Sequence, residues 1–167
     1  LLECVYTLAN KSRFYRELKS ITKEDQTNVG VAAVSAFASH QFDCVDPYTF
    51  CKNPLDFIQV INLLTSGPVD HNFMRTLGED MFNLNLGGVS QSLLLSGVQS
   101  PGALFVEPKG SVAEFVAILE QEIDNYFLRY GDADCLFIRT KPIQYHLQGW
   151  YITMSKGAFL MPQNHPT

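Results

Sequence analysis

Histidine and tryptophan occur together near one end of the chain, where their side chains could take part in recognition or catalysis. In the stretch "YHLQGWYIT", His146, Gln148 and Trp150 are spaced two residues apart. Alternating residues of a strand share one face, so the pattern of Tyr145–Thr153 predicts a strand that carries these three side chains together. An aromatic ring beside polar groups is typical of a recognition surface, and cross-strand packing is the simpler alternative. We predict that the three residues bind a partner.

His165 becomes chemically important only if a thiol can reach it. A thiolate and an imidazole within hydrogen-bond distance form a nucleophilic pair, whereas a loop histidine without such a partner has no special role. The four cysteines are Cys4, Cys44, Cys51 and Cys135. They lack the short paired spacing of a zinc site, so we expect free thiols, no metal and an intracellular location, in the cytoplasm or the nucleus.

Composition limits the classes of function. The 167 residues, 46% of them hydrophobic, predict a single domain over residues 1–167. A net charge of -5 without a basic cluster argues against nucleic acid, and the lack of a long apolar run argues against a membrane span. Phosphate-binding motifs are missing, so we expect no cofactor. The chain starts at Leu1 inside an apolar pattern, which is typical of a piece of a longer protein.

The elements that must position these residues change character along the chain. Residues 1–82 have mostly helical spacing, with predicted helices at Val29–Phe42, from Asn53-Pro54 to Gly67, and at His71–Phe82. Residues 83–167 contain short apolar runs separated by glycine, which are typical of strands. We therefore predict an α+β fold in which a helical lobe precedes a mixed or antiparallel sheet lobe.

The strand-rich half also contains the clearest helical pattern. An apolar stripe predicts a long helix over about residues 112–130, and Ser111 with Glu114 has the spacing of a capping box. Cys135–Arg139 is apolar and predicts a buried strand. Ser155–Gly157 predicts a turn, which would connect the Tyr145–Thr153 strand to a following strand in a hairpin.

Three segments, in order, resemble the papain-like ubiquitin-specific proteases and their viral papain-like relatives. Leu1–Leu18 is similar to the helix that follows the catalytic cysteine of that family. Asn53–Leu64, with its Asp56-Phe57 pair, is similar to a helix that carries an acidic residue before phenylalanine. Lys141–His165 resembles the hairpin that ends at the catalytic histidine. The resemblance implies a papain-like fold, and it gives His165 the catalytic position.

The departures from that family decide the function that we expect. The catalytic cysteine would precede Leu1, Cys4 lies inside the predicted helix, and His165 has Asn164 and Pro166 as neighbours instead of glycine and tyrosine. We therefore expect a non-catalytic protein-interaction domain, a pseudoenzyme scaffold for a ubiquitin-like protein or a complex subunit. One alternative is an active thiol-dependent ubiquitin isopeptidase with its cysteine upstream. Another is an unrelated scaffold domain that binds through the predicted Trp150 strand.

Overall fold

The structure, a computed structural model, describes residues 10–48 and 50–162. Its elements in chain order are α1 (Lys11–Glu24), α2 (Val29–Gln41), a 3-10 helix (Pro54–Phe57), α3 (Leu63–Ser66), α4 (His71–Asn83), β1 (Leu94–Gln99), α5 (Gly110–Arg129), α6 (Leu136–Arg139) and β2 (Ile152–Leu160). The described residues are 47% helical and 12% strand, which confirms the predicted α+β class. The described sheet contains only two strands, β1 and β2.

The described residues form two compact units that are interleaved along the chain. The helical unit contains residues 10–58, apart from Thr49, and Tyr130–Pro142, whereas the sheet unit contains Gln59–Arg129 and residues 143–162. These boundaries differ from the change in sequence character near residue 83. A single domain over residues 1–167 stays a prediction, and each unit is described by itself below.

In the helical unit, α1 and α2 begin at asparagine caps and enclose an apolar core. The Asn10 side chain accepts a hydrogen bond from the Arg13 N–H group, and Asn28 does the same for Val31, at 3.0 Å in both cases. Such caps satisfy backbone donors that a helix start leaves without partners. The core residues are Phe14, Leu18, Ala32, Ala38, Tyr48 and Phe50. The helix predicted at Val29–Phe42 is confirmed by α2.

Two predictions in or beside the helical unit are wrong. Cys135–Arg139 is not a strand: Leu136–Arg139 forms α6, and the Arg139 N–H group donates to the Cys135 carbonyl at 3.1 Å. A short apolar run has the same pattern in a buried strand and in a buried helical turn. The helix predicted from Asn53-Pro54 to Gly67 does begin at Pro54, but it ends at Phe57 and helical structure resumes only in α3. The β-branched residues between these elements disfavour a continuous helix.

The sheet unit is built around the contact of α4 with α5. Asp70 caps α4 by accepting a hydrogen bond from the Phe73 N–H group at 2.7 Å, and the predicted helices at His71–Phe82 and 112–130 are confirmed. The buried core consists of Leu77, Leu104 and Val112. Amphipathic helices of this kind gain most of their stability from packing of the apolar face.

The start of α5 differs from the predicted capping box. Ser111 already lies inside the helix, where its hydroxyl donates to Asp80 Oδ2 at 2.6 Å and its N–H group donates to the same oxygen at 3.2 Å. Asp80 belongs to α4, so a residue distant in sequence supplies the acceptor that Ser111 and Glu114 were expected to supply. The carboxylate is also favourable at the positive end of the α5 dipole.

The predicted strand and hairpin near the end of the chain are wrong. Residues 145–148 form no regular element, and β2 begins only at Ile152. β2 pairs antiparallel with β1, and the expected turn at Ser155–Gly157 lies inside β2 as part of a bulge. Residues 155–158 lie opposite Ser96 alone, and Gly157 has φ +83°, a conformation that favours glycine. The turn signal therefore marks an irregularity within a strand.

Candidate functional site

The three residues predicted to bind a partner lie in an exposed segment of the sheet unit. His146, Gln148 and Trp150 are all exposed, but they precede β2 and do not share a strand face. The side chain of Gln148 lies over Gly102, where an added Cβ atom would come within 2.4 Å of Nε2. The predicted face is therefore absent as a strand surface, although all three side chains have solvent access.

Backbone contacts hold the end of this segment in place. The Leu104 N–H group donates to the Gly149 carbonyl at 3.1 Å, and the Ser100 N–H group donates to the Tyr151 carbonyl at 2.9 Å. Gly149 is buried, and a Cβ atom there would lie 2.5 Å from the Phe105 ring. Only glycine allows the ring this close approach.

The catalytic role of His165 stays a prediction, because His165 and Cys4 lie outside the described residues. The three other cysteines are free thiols. Across residues 10–48 and 50–162, no group of three or more histidine, cysteine or acidic side chains is arranged to hold a metal ion. No helix in the same part of the chain is long and apolar enough to cross a membrane.

The thiols of the helical unit contact each other or tyrosine. Burial raises the pKa of Cys51 to about 11, and a hydrogen bond with Cys135 acts in the same direction. Cys44 Sγ lies 2.8 Å from the Tyr15 hydroxyl. Burial is the largest cause of a raised pKa at Tyr15, and the contact with Cys44 adds to it. A thiol needs its thiolate form to act as a nucleophile, so the raised pKa slows the reaction of Cys51 at neutral pH.

An exposed apolar surface lies on one face of the two-stranded sheet. Leu95 pairs directly with Phe159, and the Met161 N–H group continues the ladder by donating to the Leu93 carbonyl at 2.9 Å. Residues two apart in an extended segment share a face. We call Leu95, Phe159 and Met161 the sheet patch. Their exposed fractions are 46%, 52% and 40%, which are high for such large apolar side chains.

The opposite face of the sheet is directed into the unit. Leu94 is buried, its partner Leu160 is half-buried, and the two residues are direct neighbours in the ladder. The register therefore gives each strand one apolar side chain toward the interior and another toward solvent. The residues on both faces of the sheet, Leu94 and Leu160 on one and Leu95 and Phe159 on the other, are apolar. Alternation of polar and apolar residues could therefore not reveal the sheet patch. The apolar runs themselves were the available signal.

The sheet also leaves backbone edges uncovered by any other described strand. It contains β1 and β2 alone, and an isolated bridge between Val89 and Gln99 covers only the end of β1. Edge strands can pair with an extended segment of another protein. The sheet patch and these edges together make a surface suited to a protein partner.

No family model, curated protein or solved structure matches this chain.

Proposed function

We propose that this chain is a non-catalytic protein-interaction domain that binds its partner through the sheet patch. The observation that carries the proposal is the Leu95–Phe159 pair, two large apolar side chains that are half exposed directly opposite each other. Full burial of such a side chain contributes about 1.5–3 kcal/mol, and roughly half of that remains to be gained at each residue. A complex in which the partner covers the pair is stabilised by this burial.

The small number of strands in the described sheet favours the same proposal. A two-stranded sheet is only marginally stable by itself, because it lacks the neighbours that cover its edges and faces. A third strand from a partner would supply backbone hydrogen bonds along an edge and apolar contacts at the sheet patch. The partner class remains a ubiquitin-like protein or a complex subunit, in the cytoplasm or the nucleus.

The described thiol contacts support the non-catalytic part of the proposal. Cys44 contacts the Tyr15 hydroxyl, and Cys51 and Cys135 contact each other. A thiol protease needs a base within hydrogen-bond reach of its nucleophile, and neither kind of contact supplies one at neutral pH. We expect no turnover of a fluorogenic ubiquitin substrate. Turnover that is lost in Cys44→Ser would contradict this part of the proposal.

Quantitative affinity purification from cells tests the interaction. The intact tagged chain is compared with a Leu95→Ser/Phe159→Ser variant, and with Val60→Ser/Val106→Ser as a matched control. Val60 and Val106 are 91% and 69% exposed and belong to the same unit, but they lie outside the strands. We expect the sheet-patch variant to lose at least one specific partner that the control retains.

A third variant distinguishes the sheet patch from the segment predicted from sequence. His146→Ala/Trp150→Ala changes the exposed segment before β2 and leaves the β1–β2 pairing intact. Loss of the same partner in this variant alone would move the interaction to that segment and overturn the sheet-patch proposal. If all variants retain every partner of the parent chain, the proposed binding surface is wrong.

A further inference from the structure

The helical unit contains a pocket that the proposed interaction does not use. Its volume is about 570 Å³, within the range of small-molecule sites. Lys11, Tyr15 and Lys19 on α1 form one wall, since residues four apart lie on the same face of a helix. The segment after α2 forms the other wall, with Cys44, Pro47 and Tyr48. The two tyrosine rings and the proline give the interior a largely apolar character.

Charge in the pocket is opposite to that of the whole chain. The chain has a net charge of -5, but among the described residues the pocket is lined by two lysines and by no carboxylate. Asp46 lies between lining residues in the sequence, yet its carboxylate accepts hydrogen bonds from the Ser35 hydroxyl at 2.6 Å and from the Tyr48 N–H group at 2.9 Å. Those contacts account for its absence from the lining.

The structure fixes the position of one of the two ammonium groups. Lys11 Nζ donates to the Phe42 carbonyl at 3.3 Å and lies 5.9 Å from the centre of the Phe42 ring. A cation held by a carbonyl and an aromatic face keeps further donor capacity, because an ammonium group has three hydrogens. Lys19 is exposed two turns further along α1. Both ammonium groups line the pocket, and their positive charge favours an anionic ligand.

We propose that this pocket binds a small organic anion with a flat apolar body, of the aromatic carboxylate class. The rings of Tyr15 and Tyr48 and the Pro47 ring contact the body of the ligand, and Lys11 or Lys19 contacts its carboxylate. This site is independent of the sheet patch, which lies in the other unit. Failure of one proposal therefore leaves the other untouched.

Cys44 provides a reporter inside the pocket wall. Its thiol is half-buried and lines the pocket, whereas Cys51 is also half-buried but does not line it. The intact chain is alkylated with N-ethylmaleimide, and peptide mass spectrometry gives the rate at each cysteine. The probe is 1-naphthoate, and neutral 1-naphthalenemethanol is the matched compound without charge.

A bound probe should slow alkylation of Cys44 in proportion to occupancy. At a concentration about four times its Kd, 1-naphthoate leaves about one-fifth of the pockets free, so the Cys44 rate should fall about fivefold. The Cys51 rate should not change. The neutral compound at the same concentration should protect Cys44 less, because it cannot pair with the lysines.

Charge variants on α1 test the role of the lysines. Lys11→Gln/Lys19→Gln should remove the difference between the anionic and the neutral probe. Lys23→Gln makes the same kind of change on α1 outside the pocket lining and should preserve the difference. Circular dichroism confirms that each variant is folded. The proposal is wrong if both probes protect Cys44 equally in the parent chain. It is also wrong if 1-naphthoate at saturation does not protect Cys44, or if it slows Cys51 as much as Cys44.

Discussion

The helical unit and the sheet unit differ in how their large apolar side chains are arranged. In the helical unit, Phe14 is fully buried and Leu18 is 1% exposed, because α1 and α2 pack against one another and against the segment that follows. In the sheet unit, α4 and α5 enclose a smaller core, while Leu95 and Phe159 stay half exposed on the sheet. A helix needs one covered stripe, whereas a sheet has two faces to cover. Large apolar side chains are exposed in both units, Phe37 at 55% among them, but the sheet register places Leu95 and Phe159 directly opposite each other.

The largest expected effect tests this comparison with the same substitution in both units. Phe14→Ala should lower the free energy of unfolding by about 3–5 kcal/mol, since it leaves a cavity in a fully buried site. Phe159→Ala should lower it by less than about 1.5 kcal/mol, because much of that ring already contacts water. Urea unfolding followed by circular dichroism, with hydrogen exchange to assign each loss to its unit, measures both. A similar cost for the two substitutions would mean that Phe159 is a core residue and that the sheet patch is not available.

The second prediction compares two glycines of the sheet unit. Gly149→Ala should lower the free energy of unfolding by about 1–3 kcal/mol, because the new methyl group would overlap the Phe105 ring. Gly78 lies inside α4 with no atom within 4 Å of an added Cβ. Gly78→Ala should therefore stabilise the protein by about 0.4–1 kcal/mol through reduced entropy of the unfolded chain. Thermal unfolding of both variants shows which substitution stabilises the protein and which destabilises it. A neutral Gly149→Ala would show that Phe105 moves aside without cost.

Local signals in the sequence predicted the helices better than the sheet. The apolar stripe of α5 acts within a few residues, so its spacing alone located that helix. The partner of β2 lies before α5 in the chain, and no local pattern indicates which distant strand a strand will pair with. Tyr145–Thr153 alternates as a strand would, but only its last two residues, Ile152 and Thr153, belong to β2 and pair with β1.

The candidate site shows the same limit of local pattern. His146 and Trp150 were correctly expected to be accessible, because polar and amphipathic side chains favour the surface. Leu95 and Phe159 are apolar residues in apolar runs, which predict burial. Their exposure follows from the number of strands in the sheet and from the bulge opposite Ser96, and both are tertiary features. The pocket beside Cys44 likewise depends on a contact between α1 and a loop distant in sequence.

The smallest expected effect compares two carboxylates, one in each unit. Hydrogen bonds from the side chain and then the backbone of Ser111 lower the pKa of Asp80 below its usual 3.8. The backbone and side chain of Thr27 do the same for the pKa of Asp25. The Asp80–Ser111 contact joins α4 and α5 of the sheet unit, whereas the Asp25–Thr27 contact is local and lies between α1 and α2 of the helical unit. Ser111→Ala should therefore raise the pKa of Asp80 toward 3.8 and leave that of Asp25 unchanged in a carboxyl NMR titration.

Substitution of Asp80 itself gives a stability effect whose sign follows from the lowered pKa. A carboxylate with a folded-state pKa below its unfolded value stabilises the protein above the unfolded value, and this stabilisation is lost as the pH falls through the folded value. Asp80→Asn should therefore unfold more easily than the parent chain at pH 6, and the difference should shrink as the pH falls below 3.8. Thermal unfolding across this range measures the difference, with Asp25→Asn as the counterpart in the helical unit. A difference that grows on acidification would mean that the Asp80–Ser111 contact does not depend on the charged carboxylate.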